Sequence, residues 1–336
     1  MGERITLDVD GTQVDVSNPG KVFFSKRGET KHDLISYYLA VAEPLMATLQ
    51  DRPVLMERYP EGAGGKSWFQ KRVPKGKPDW LTTTEVSTPN GTTSDALVVK
   101  DMAHIVWAVN MGCLGFHVWP FHANHPEIAD ELRIDLDPAK GMGFDDTRQV
   151  AGLTRELLAE LGVAAHVKTS GSRGLHLYVM LEPHWDSYQV RAAAVALARE
   201  LERRHPDLIT AKWWKEERGQ RIFIDYNQNA PHKTVFGAWC VRPRVGGQVS
   251  TPVSWEALPA VAPDELTIAT VPDRVAEQGD PWAGAYRERQ SIEPLLELSK
   301  ADLEAGLMDA PWPPQYPKQP NEPPRVAPSR AKGGDV

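Results

Sequence analysis

The chain opens with alternating apolar and polar residues, which predict β-strands. Apolar side chains recur at every second position on both sides of Asp10-Gly11, a dipeptide typical of hairpin turns. These side chains are Ile5, Leu7, Val9, Val14 and Val16. Farther along, Thr30 can cap a helix over 31 to 49, where apolar residues recur at helical spacing. Pro44 lies inside that run and predicts a kink or an earlier end of the helix.

Strand-like and helix-like segments alternate in the second half of the chain. Strands are predicted at 132 to 136, 164 to 169, 175 to 181 and 221 to 226, and helices from Asp145 or Asp146 to Leu161 and from 187 to 204. The order strand, helix, strand, strand, helix, strand is typical of a split β-α-β unit. The predicted fold class is therefore α/β (α+β), with a mixed sheet and helices packed on it.

Length and composition limit the classes of protein that this chain can belong to. Its 336 residues suffice for one large domain or two coupled ones. No apolar run approaches the roughly 18 residues of a membrane helix, and the first residues lack a signal pattern, so we expect a soluble cytoplasmic protein. Cys113 and Cys240 form no C-x-x-C pair, which argues against a disulfide framework and against a cysteine zinc site.

The net charge of −7 would argue against a nucleic-acid partner if it were spread evenly, but the charge is distributed unevenly along the chain. Residues 256 to 310 hold 12 acidic and 4 basic side chains, a net charge of −8. Residues 51 to 77 and 212 to 244 each hold 7 basic and 3 acidic side chains, a net charge of +4. Aromatic residues are interleaved in both basic segments, as phosphate contact and base stacking require. The alternative is a solvated basic face above a core that contains Trp.

A proline-rich stretch ends the chain. It has 8 Pro in the 26 residues 311 to 336, so we predict a disordered tail there. The tail and the acidic segment 256 to 310 are candidates for partner contact, with a solubilising or capping element as the alternative.

Paired carboxylates are the strongest local signal. In a strand, Asp135 and Asp137 of the Arg133-Ile134-Asp135-Leu136-Asp137-Pro138 run face the same side. Asp225 ends a second apolar strand in the same manner. Their hard oxygens suit Mg²⁺ or Mn²⁺, and three such acids can hold two ions for nucleotidyl transfer. The alternative is a solvated edge or turn, where D-x-D is common.

The turn from Ser170 to Gly174 joins two predicted strands. Its backbone N–H groups can bind an anion, and Arg173 and His176 add donors for a triphosphate, although such turns often serve geometry alone. Gly65-Lys66-Ser67 does not complete a P-loop, because Pro60 stands where the first Gly is required.

With these residues in hand, the chain resembles the polymerase module of bacterial ligase D, an archaeo-eukaryotic primase type of polymerase. The resemblance runs from about Ser17 to about Trp255. Its motifs are Ser-Asn-Pro-Gly-Lys (17 to 21), Arg-Pro (52 to 53), Tyr-Pro-Glu-Gly (59 to 62), Phe-His-Val (116 to 118), Asp-Leu-Asp-Pro (135 to 138), Thr-Ser-Gly-Ser-Arg-Gly-Leu-His (169 to 176) and Asp-Tyr-Asn-Gln-Asn (225 to 229). They are individually weak and highly specific together, because they occur in order at the family's spacing.

The resemblance implies a role for each matching residue. Asp135, Asp137 and Asp225 would bind two Mn²⁺ or Mg²⁺ ions, with no zinc. The incoming NTP or dNTP would contact His117, Ser170, Arg173, His176, Gln228, Arg242 and Arg244. Asn18, Lys21 and Lys31 would hold a 5′-phosphate, and Trp68 and Phe69 would stack on the template, where relatives often have two Phe.

The resemblance also implies an architecture. An RRM-like primase-polymerase catalytic core over about 116 to 260 would follow an N-terminal α/β subdomain over about 1 to 115. The acidic segment 256 to 310 would complete a domain spanning 1 to 310. Glu57 departs from the pattern, since some relatives have Lys there. No nuclease or ligase module and no adenylation K-x-D-G motif is recognised in the chain, so we expect a polymerase that stands alone.

These observations favour a template-dependent primase-polymerase that fills short 5′-phosphorylated gaps in DNA repair or end joining and prefers ribonucleotides. We expect a monomer that acts at the nucleoid with gapped or primer-template DNA, and with a separate ligase or Ku as partner. The alternatives are a non-catalytic nucleic-acid-binding repair module and a metal-dependent nuclease.

Overall fold

The computed structural model describes residues 2 to 331. Its strands are β1 Arg4–Val9, β2 Thr12–Ser17, β3 Val22–Phe24, β4 Glu29–Thr30, β5 Pro53–Arg58, β6 Trp68–Gln70, β7 Thr83–Ser87, β8 Thr93–Val98, β9 Cys113–Val118, β10 Glu131–Pro138, β11 His166–Thr169, β12 Leu175–Met180, β13 Ile209–Thr210, β14 Ile222–Asp225, β15 Val235–Phe236 and β16 Pro252–Val253. Its helices are α1 Lys31–Ala40, α2 Ala42–Leu49, α3 Met102–Asn110, α4 Phe144–Glu160, α5 Ser187–Arg204, α6 Lys215–Arg218, α7 Val271–Gln278, α8 Glu293–Glu304 and α9 Pro328–Ala331.

One six-stranded sheet holds most of the predicted carboxylates and phosphate-binding residues. Its strand order is β13-β14-β10-β12-β11-β16, and all neighbours are antiparallel except β13 and β14. Helices α4 and α5 pack against β10. Ile134 and Leu136 of that strand are buried, which leaves Asp135 and Asp137 on its opposite side. The mixed α+β class predicted from the order of the elements is confirmed.

A second six-stranded sheet carries the aromatic residues and His117. Its strand order is β15-β9-β5-β8-β7, with β6 paired to the end of β5. Val235 and Phe236 of β15 pair with Val118 and His117 of β9. Because β15 follows β14 along the chain, the segment after Asp225 returns to this second sheet and brings the two sheets to one site.

Helix boundaries follow local capping with two differences from the sequence prediction. Thr30 caps α1 as predicted, through a box in which it accepts from the Asp33 N–H. The predicted helix over 31 to 49 is interrupted at Val41, and Pro44 lies in the first turn of α2, where its missing N–H costs nothing. The prediction that Asp145 or Asp146 caps α4 is wrong, because the N-cap residue is Gly143. Asp146 lies in the first turn and accepts from the Gly143 N–H at 2.7 Å.

The proline-rich end of the chain departs from the predicted disorder over the strap, which we define as residues 309 to 326. Trp312 is 3% exposed and packs against Arg191 of α5, whose guanidinium carbon lies 3.9 Å from the ring centre. Arg191 also donates to the Ala310 carbonyl oxygen at 2.9 Å. The proline count missed this packing because two large aromatic residues, Trp312 and Tyr316, are buried in one cluster with Ala230. Residues 332 to 336 of the predicted tail lie outside the described residues.

The acidic segment is part of the fold. Helix α8 packs on α5, and the buried Asp302 accepts from Arg203 at 2.8 Å and lies 3.5 Å from Arg199. Within residues 2 to 331, no helix is both long and apolar enough to cross a membrane.

Candidate functional site

The register of three adjacent strands brings the predicted carboxylates onto one face of the sheet. Asp135 of β10 lies opposite Asp225 of β14 on one side and opposite His176 of β12 on the other. Directly opposite residues of antiparallel strands project to the same face. Asp137, two residues farther along β10, shares that face. The strands that the sequence predicts therefore place all three acids together.

Burial raises the pKa of two of these acids, and repulsion between acids adds to the effect at Asp135. Burial, followed by the charges of Asp225 and Asp137, raises the pKa of Asp135 to about 7. Burial also raises the pKa of Asp225. A carboxyl group whose ionised form is disfavoured in this way gains from a bound cation, which restores the charged form.

Each of the other two acids has a protein donor beside it. Asp225 accepts from the Gln228 side-chain amide at 2.8 Å and from the Asn227 N–H at 3.1 Å. Asp137 lies 3.5 Å from the Arg218 guanidinium. Among the described residues, no group of three or more His, Cys, Asp or Glu side chains is gathered closely enough to hold a metal ion as it stands. The acids share a face, while their oxygens are held by neighbouring donors and not around a common point.

The small-residue turn lies beside the acids because β11 and β12 form a hairpin around it. Gly171 has a φ of 70°, and an added Cβ would meet the Arg242 side chain at 2.6 Å. An added Cβ at Gly174 would lie 2.9 Å from the Leu136 carbonyl oxygen, between the two acids of β10. Ser170 accepts from the Gly174 N–H at 3.1 Å, which closes the turn. Both glycines are therefore needed for the turn to approach its neighbours this closely.

Two arginines extend the cationic side of the turn. Arg242 donates from Nε to the Ser170 carbonyl oxygen, and its guanidinium lies 3.8 Å from the Phe236 ring centre. Arg244 donates to the Ser172 hydroxyl at 2.6 Å. Arg173 is exposed at the tip of the turn. The Arg242 guanidinium is thus held by a backbone carbonyl and a ring, and that of Arg244 by a hydroxyl of the turn.

These groups line one cavity of about 610 Å³. It contains most of the predicted nucleotide and metal residues together with Glu57: Phe69, His117, Asp135, Asp137, Ser170, Arg173, His176, Arg242 and Arg244. Asp225 and Gln228 lie next to it on and after β14. The lining therefore combines carboxylates, which suit divalent cations, with guanidinium groups, which suit an anion such as a phosphate.

Glu57 takes part in this wall through hydrogen bonds. Its carboxylate lies 3.3 Å from His117 Nε2 and accepts from the Tyr59 hydroxyl at 2.9 Å. Burial alone would raise the pKa of Glu57, but the hydrogen bonds from His117 and Tyr59 lower it below its ordinary value. Burial lowers the pKa of His117. Glu57 therefore contacts His117 on the wall of the cavity.

Of the two predicted stacking aromatics, Phe69 lines the cavity, whereas Trp68 precedes it in β6 and projects to the other face of the strand. Trp68 is 47% exposed and Phe69 is 59% exposed, on the short strand β6. Phe69 packs edge-on to His117 at 5.2 Å, while Arg58 lies 5.0 Å from the Trp68 ring centre. Only Phe69 lines the cavity itself.

The three residues predicted to hold a 5′-phosphate form a separate cluster. The backbone N–H of Lys21 donates to the Asn18 carbonyl oxygen at 3.1 Å. The backbone N–H of Lys31 donates to the Lys21 carbonyl oxygen at 2.8 Å. The Lys31 side chain is 5% exposed, and its ammonium donates to the carbonyl oxygens of Ser17 and Asn110 at 2.6 and 3.1 Å. Burial and the neighbouring Lys21 lower the pKa of Lys31 to about 8.

Two basic residues near the site were not predicted from the sequence. Lys168 is opposite His176 across β11 and β12, and Arg218 reaches Asp137 from α6. The register of the hairpin around Ser170 to Gly174 would have placed Lys168 beside His176. No sequence pattern predicted the position of Arg218, because α6 and β10 are far apart along the chain and share no turn or hairpin.

All of the motifs except the one at 17 to 21 lie inside the range that a family model matches. The model of the family described as LigD, primase-polymerase domain, matches residues 30 to 282. The chain belongs to this family. It is therefore a nucleotidyltransferase-type polymerase domain, as the resemblance predicts.

Relatives and a solved structure agree with this assignment. The multifunctional non-homologous end joining DNA repair protein LigD of Mycobacterium tuberculosis (H37Rv) is 32% identical over 276 residues, which are 80% of this chain and 36% of that protein. The bifunctional non-homologous end joining protein LigD of Bacillus subtilis is 33% identical over 280 residues, 83% of this chain and 45% of that protein. This primase-polymerase chain thus spans less than half the length of either relative.

The structural match covers the whole of the other domain. The polymerase domain from Mycobacterium tuberculosis ligase D in complex with DNA superposes with a TM-score of 0.76 and 29% sequence identity. The match covers 82% of this chain and 99% of that one.

Proposed function

We propose that this primase-polymerase extends a primer on a DNA template by two-metal nucleotidyl transfer. The observation that carries the proposal is the cavity in which Asp135 and Asp137 face Arg173, Arg242 and Arg244. A nucleoside triphosphate bound with divalent cations needs hard oxygen ligands on one side and fixed guanidinium groups on the other. A non-catalytic module that only binds nucleic acid would not need Asp135 and Asp137 in this cavity.

The residues present fit a pair of divalent cations. Three carboxylates share a face, and burial with like charges raises the pKa of Asp135 to about 7, so a cation would relieve their repulsion. Asp135, Asp137 and Asp225 would hold the ions. When bound, Mg²⁺ or Mn²⁺ supplies a lowered pKa for the attacking 3′-hydroxyl and neutralises charge on the leaving pyrophosphate.

The other side chains bind and orient the substrates. In this proposal Ser170, His176 and the three arginines, which line the cavity, would hold the triphosphate. Phe69 and Trp68 would stack on the template, and Gln228 would contact the ribose or base. We extend the proposal to a preference for ribonucleotides and to the filling of short gaps at the nucleoid. The DNA repair pathway would be non-homologous end joining, after which the relatives are named. A separate ligase or Ku would supply sealing and end binding.

Extension of a labelled primer tests this function. Primer-template and gapped DNA are incubated with Mn²⁺ or Mg²⁺ and with either ribonucleotides or deoxynucleotides, and the products are separated by length. Longer products support a polymerase, and the faster nucleotide set gives the sugar preference. Unchanged primer with every metal and nucleotide set would contradict the proposal in favour of a binding module. Shortened primer would favour a nuclease.

The Lys21→Ala/Lys31→Ala double variant is expected to lose the preference for gaps that carry a 5′-phosphate. Charge-assisted contacts to a phosphate contribute about 1.5 to 3 kcal/mol each, so the preference should fall about tenfold or more. The measurement is the ratio of extension rates on gaps with a 5′-phosphate and with a 5′-hydroxyl.

Lys26→Ala/Lys66→Ala is the matched control, because it removes two exposed lysines outside the cluster. It should weaken binding to both gaps alike and leave the ratio unchanged. In the unmodified protein the ratio should fall as the pH rises through about 8, where Lys31 loses its charge. A ratio that is the same in the cluster variant and the unmodified protein would remove the 5′-phosphate site.

A further inference from the structure

A groove lies beside the short helix α6, outside the nucleotide cavity, and we call it the α6 groove. It has a volume of about 880 Å³. Residues between 213 and 218 form one wall, and residues between 325 and 330, from the end of the strap to α9, form the other. The Glu216 carboxylate accepts from the Ser329 N–H at 3.2 Å, which ties the two walls together. The second wall lies beyond residue 282, where the match to the family model ends, so the family resemblance assigns it no role.

The lining of the α6 groove combines aromatic rings with positive charge. Its charged side chains are four basic and one acidic: Lys215, Arg218, Arg325, Arg330 and Glu216. Trp213 and Trp214 are partly exposed, and both also line a neighbouring cavity of about 630 Å³. Aromatic planes beside cations suit the bases and the phosphates of a single nucleic-acid strand.

Two of the cations in the groove are available for phosphates. Arg218 and Arg325 each have an acid beside them. Lys215 and Arg330 are exposed and take part in no ion pair within the part of the chain that the structure describes. They lie on opposite walls, so a strand in the groove would have a cation on each side.

The groove lies next to β14 on the face of the sheet that carries the acids. Asp137 of β10 is opposite Phe223 of β14, so their side chains share that face. Trp213 packs edge-on to Phe223 with ring centres 6.5 Å apart, and the Arg218 guanidinium lies 3.6 Å from the centre of the same ring. Arg218 also lies 3.5 Å from Asp137. The α6 groove therefore borders the carboxylates directly.

The small-residue turn borders the same carboxylates from the other side. It joins β11 and β12, and the strand order β14-β10-β12-β11 places β10 with its acids between the turn and β14. In nucleotidyl transfer, the attacking 3′-hydroxyl and the leaving pyrophosphate lie in line on opposite sides of the α-phosphorus. With the pyrophosphate at the turn beside Arg242 and Arg244, the 3′-hydroxyl has to approach from the side of β14. The primer strand behind that hydroxyl then passes over the α6 groove.

We propose that the α6 groove binds the primer strand just behind its 3′ end, with a base stacked on Trp214 and backbone phosphates on Lys215 and Arg330. The inference rests on the proposed function, because the direction of the primer follows from nucleotidyl transfer. A nucleic-acid strand is favoured over an acidic peptide because the groove borders the acids at the point where the primer has to enter. The strap would thus supply one wall of a substrate site.

Photo-cross-linking tests where the primer lies. In a gapped DNA, 5-iodouracil replaces thymine either near the primer 3′ end or in the template strand opposite, and each complex is irradiated in chelator. The cross-linked peptide is identified by mass spectrometry. We expect the primer label to cross-link to Trp213 or Trp214 and the template label to cross-link outside the groove.

The affinity for the same gapped DNA, measured by fluorescence anisotropy in chelator, gives the strength of the contacts. Trp214→Ala should weaken binding about tenfold, the typical effect of losing one base stack. Lys215→Gln/Arg330→Gln should lower the slope of log affinity against log salt by about 1.5, because two phosphate contacts are lost. Lys300→Gln/Lys318→Gln is the matched control, since it removes two exposed lysines outside the groove, and it should leave the slope unchanged.

Primer extension gives a third measurement. Trp214→Ala should raise the KM for the primer-template by the same factor of about ten and leave the KM for the nucleotide unchanged, because the groove holds the primer and not the nucleotide. If Trp214→Ala fails to fold, the salt slope of Lys215→Gln/Arg330→Gln, which alters exposed side chains only, decides the question.

Unchanged DNA affinity in folded Trp214→Ala, or an unchanged salt slope in Lys215→Gln/Arg330→Gln, would overturn the inference. So would a primer label that cross-links only outside the groove. Binding of an oligoglutamate peptide that Trp214→Ala abolishes, with DNA binding unaffected, would assign the groove to an acidic protein partner instead. If the unmodified protein extends no primer, the proposed polymerase function fails, while the cross-links and affinities in chelator still decide whether the groove holds this strand. The two failures are therefore distinguishable.

Discussion

Asp137→Ala is expected to abolish primer extension and to leave the fold intact. Its side chain is 55% exposed, and its ion-pair partner among the described residues is Arg218 at 3.5 Å, so the core loses nothing when it is removed. A carboxylate that holds catalytic cations contributes several kcal/mol to transition-state stabilisation, which corresponds to roughly a thousandfold in rate. The measurement is the rate of single-nucleotide addition with saturating Mn²⁺.

Asp264→Ala provides the matched control, because it removes an exposed acid from a short helical turn outside the cavity. It should extend primers at the unmodified rate. Both variants should unfold at the temperature of the unmodified protein. Activity above a few per cent in folded Asp137→Ala would rule out Asp137 as a metal ligand.

Metal-free protein is expected to lose stability as the pH rises from about 4 to about 7, and Asp135→Asn should remove this loss. The pKa of Asp135 is about 7 in the folded chain and 3.8 ordinarily, so between these values the folded state holds a proton that the unfolded state has released. Stability therefore falls with rising pH in this window and is constant beyond it. The shift corresponds to about 4 kcal/mol at most, and screening at a side chain that is 27% exposed lowers it to roughly 2 to 3 kcal/mol.

The measurement is the free energy of unfolding in chelator at several pH values for the two proteins. Other groups titrate in both, so the difference between the curves isolates Asp135. Adding Mn²⁺ should stabilise the unmodified protein more at pH 7.5 than at pH 5, since the cation favours the ionised carboxyl. Parallel curves for the two proteins would show that Asp135 titrates normally in the folded chain.

Much of the carboxylate site could be predicted because it depends on short-range patterns. Alternation in β10 places Asp135 and Asp137 on one face, and the end of β14 supplies Asp225. The turn glycines mark the hairpin that carries Ser170 and His176. These features need only the period of a strand and the geometry of a turn.

The parts that escaped prediction depend on contacts between distant segments. Glu57 and His117 meet because β5 and β9 pair, and β15 brings Phe236 to the same wall from more than a hundred residues away. Arg218 reaches Asp137 from about 80 residues farther along the chain. No periodicity within one segment carries this information, so the contacts of Glu57, Phe236 and Arg218 become visible only in three dimensions.

The charge map gains a physical meaning from the fold. Asp302 pairs with Arg199 and Arg203, and Asp309 pairs with Arg191, so part of the acidic segment neutralises one helix of the core. The net charge of −8 over 256 to 310 therefore overstates the acidity that this segment presents to a partner.

The strap changes what counts as the complete folding unit of this polymerase. The family match ends at residue 282. Arg191, however, donates hydrogen bonds to Asn227 and to Asp309 and Ala310 of the strap. A protein cut at residue 282 would lose Asp309, Ala310 and Pro311 as acceptors for this buried guanidinium. Among its hydrogen-bond partners in the described residues, Asn227 alone would remain, two residues beyond a candidate metal ligand. The match to the family model therefore ends before the packed strap does, and a fragment made for biochemistry should extend through the strap.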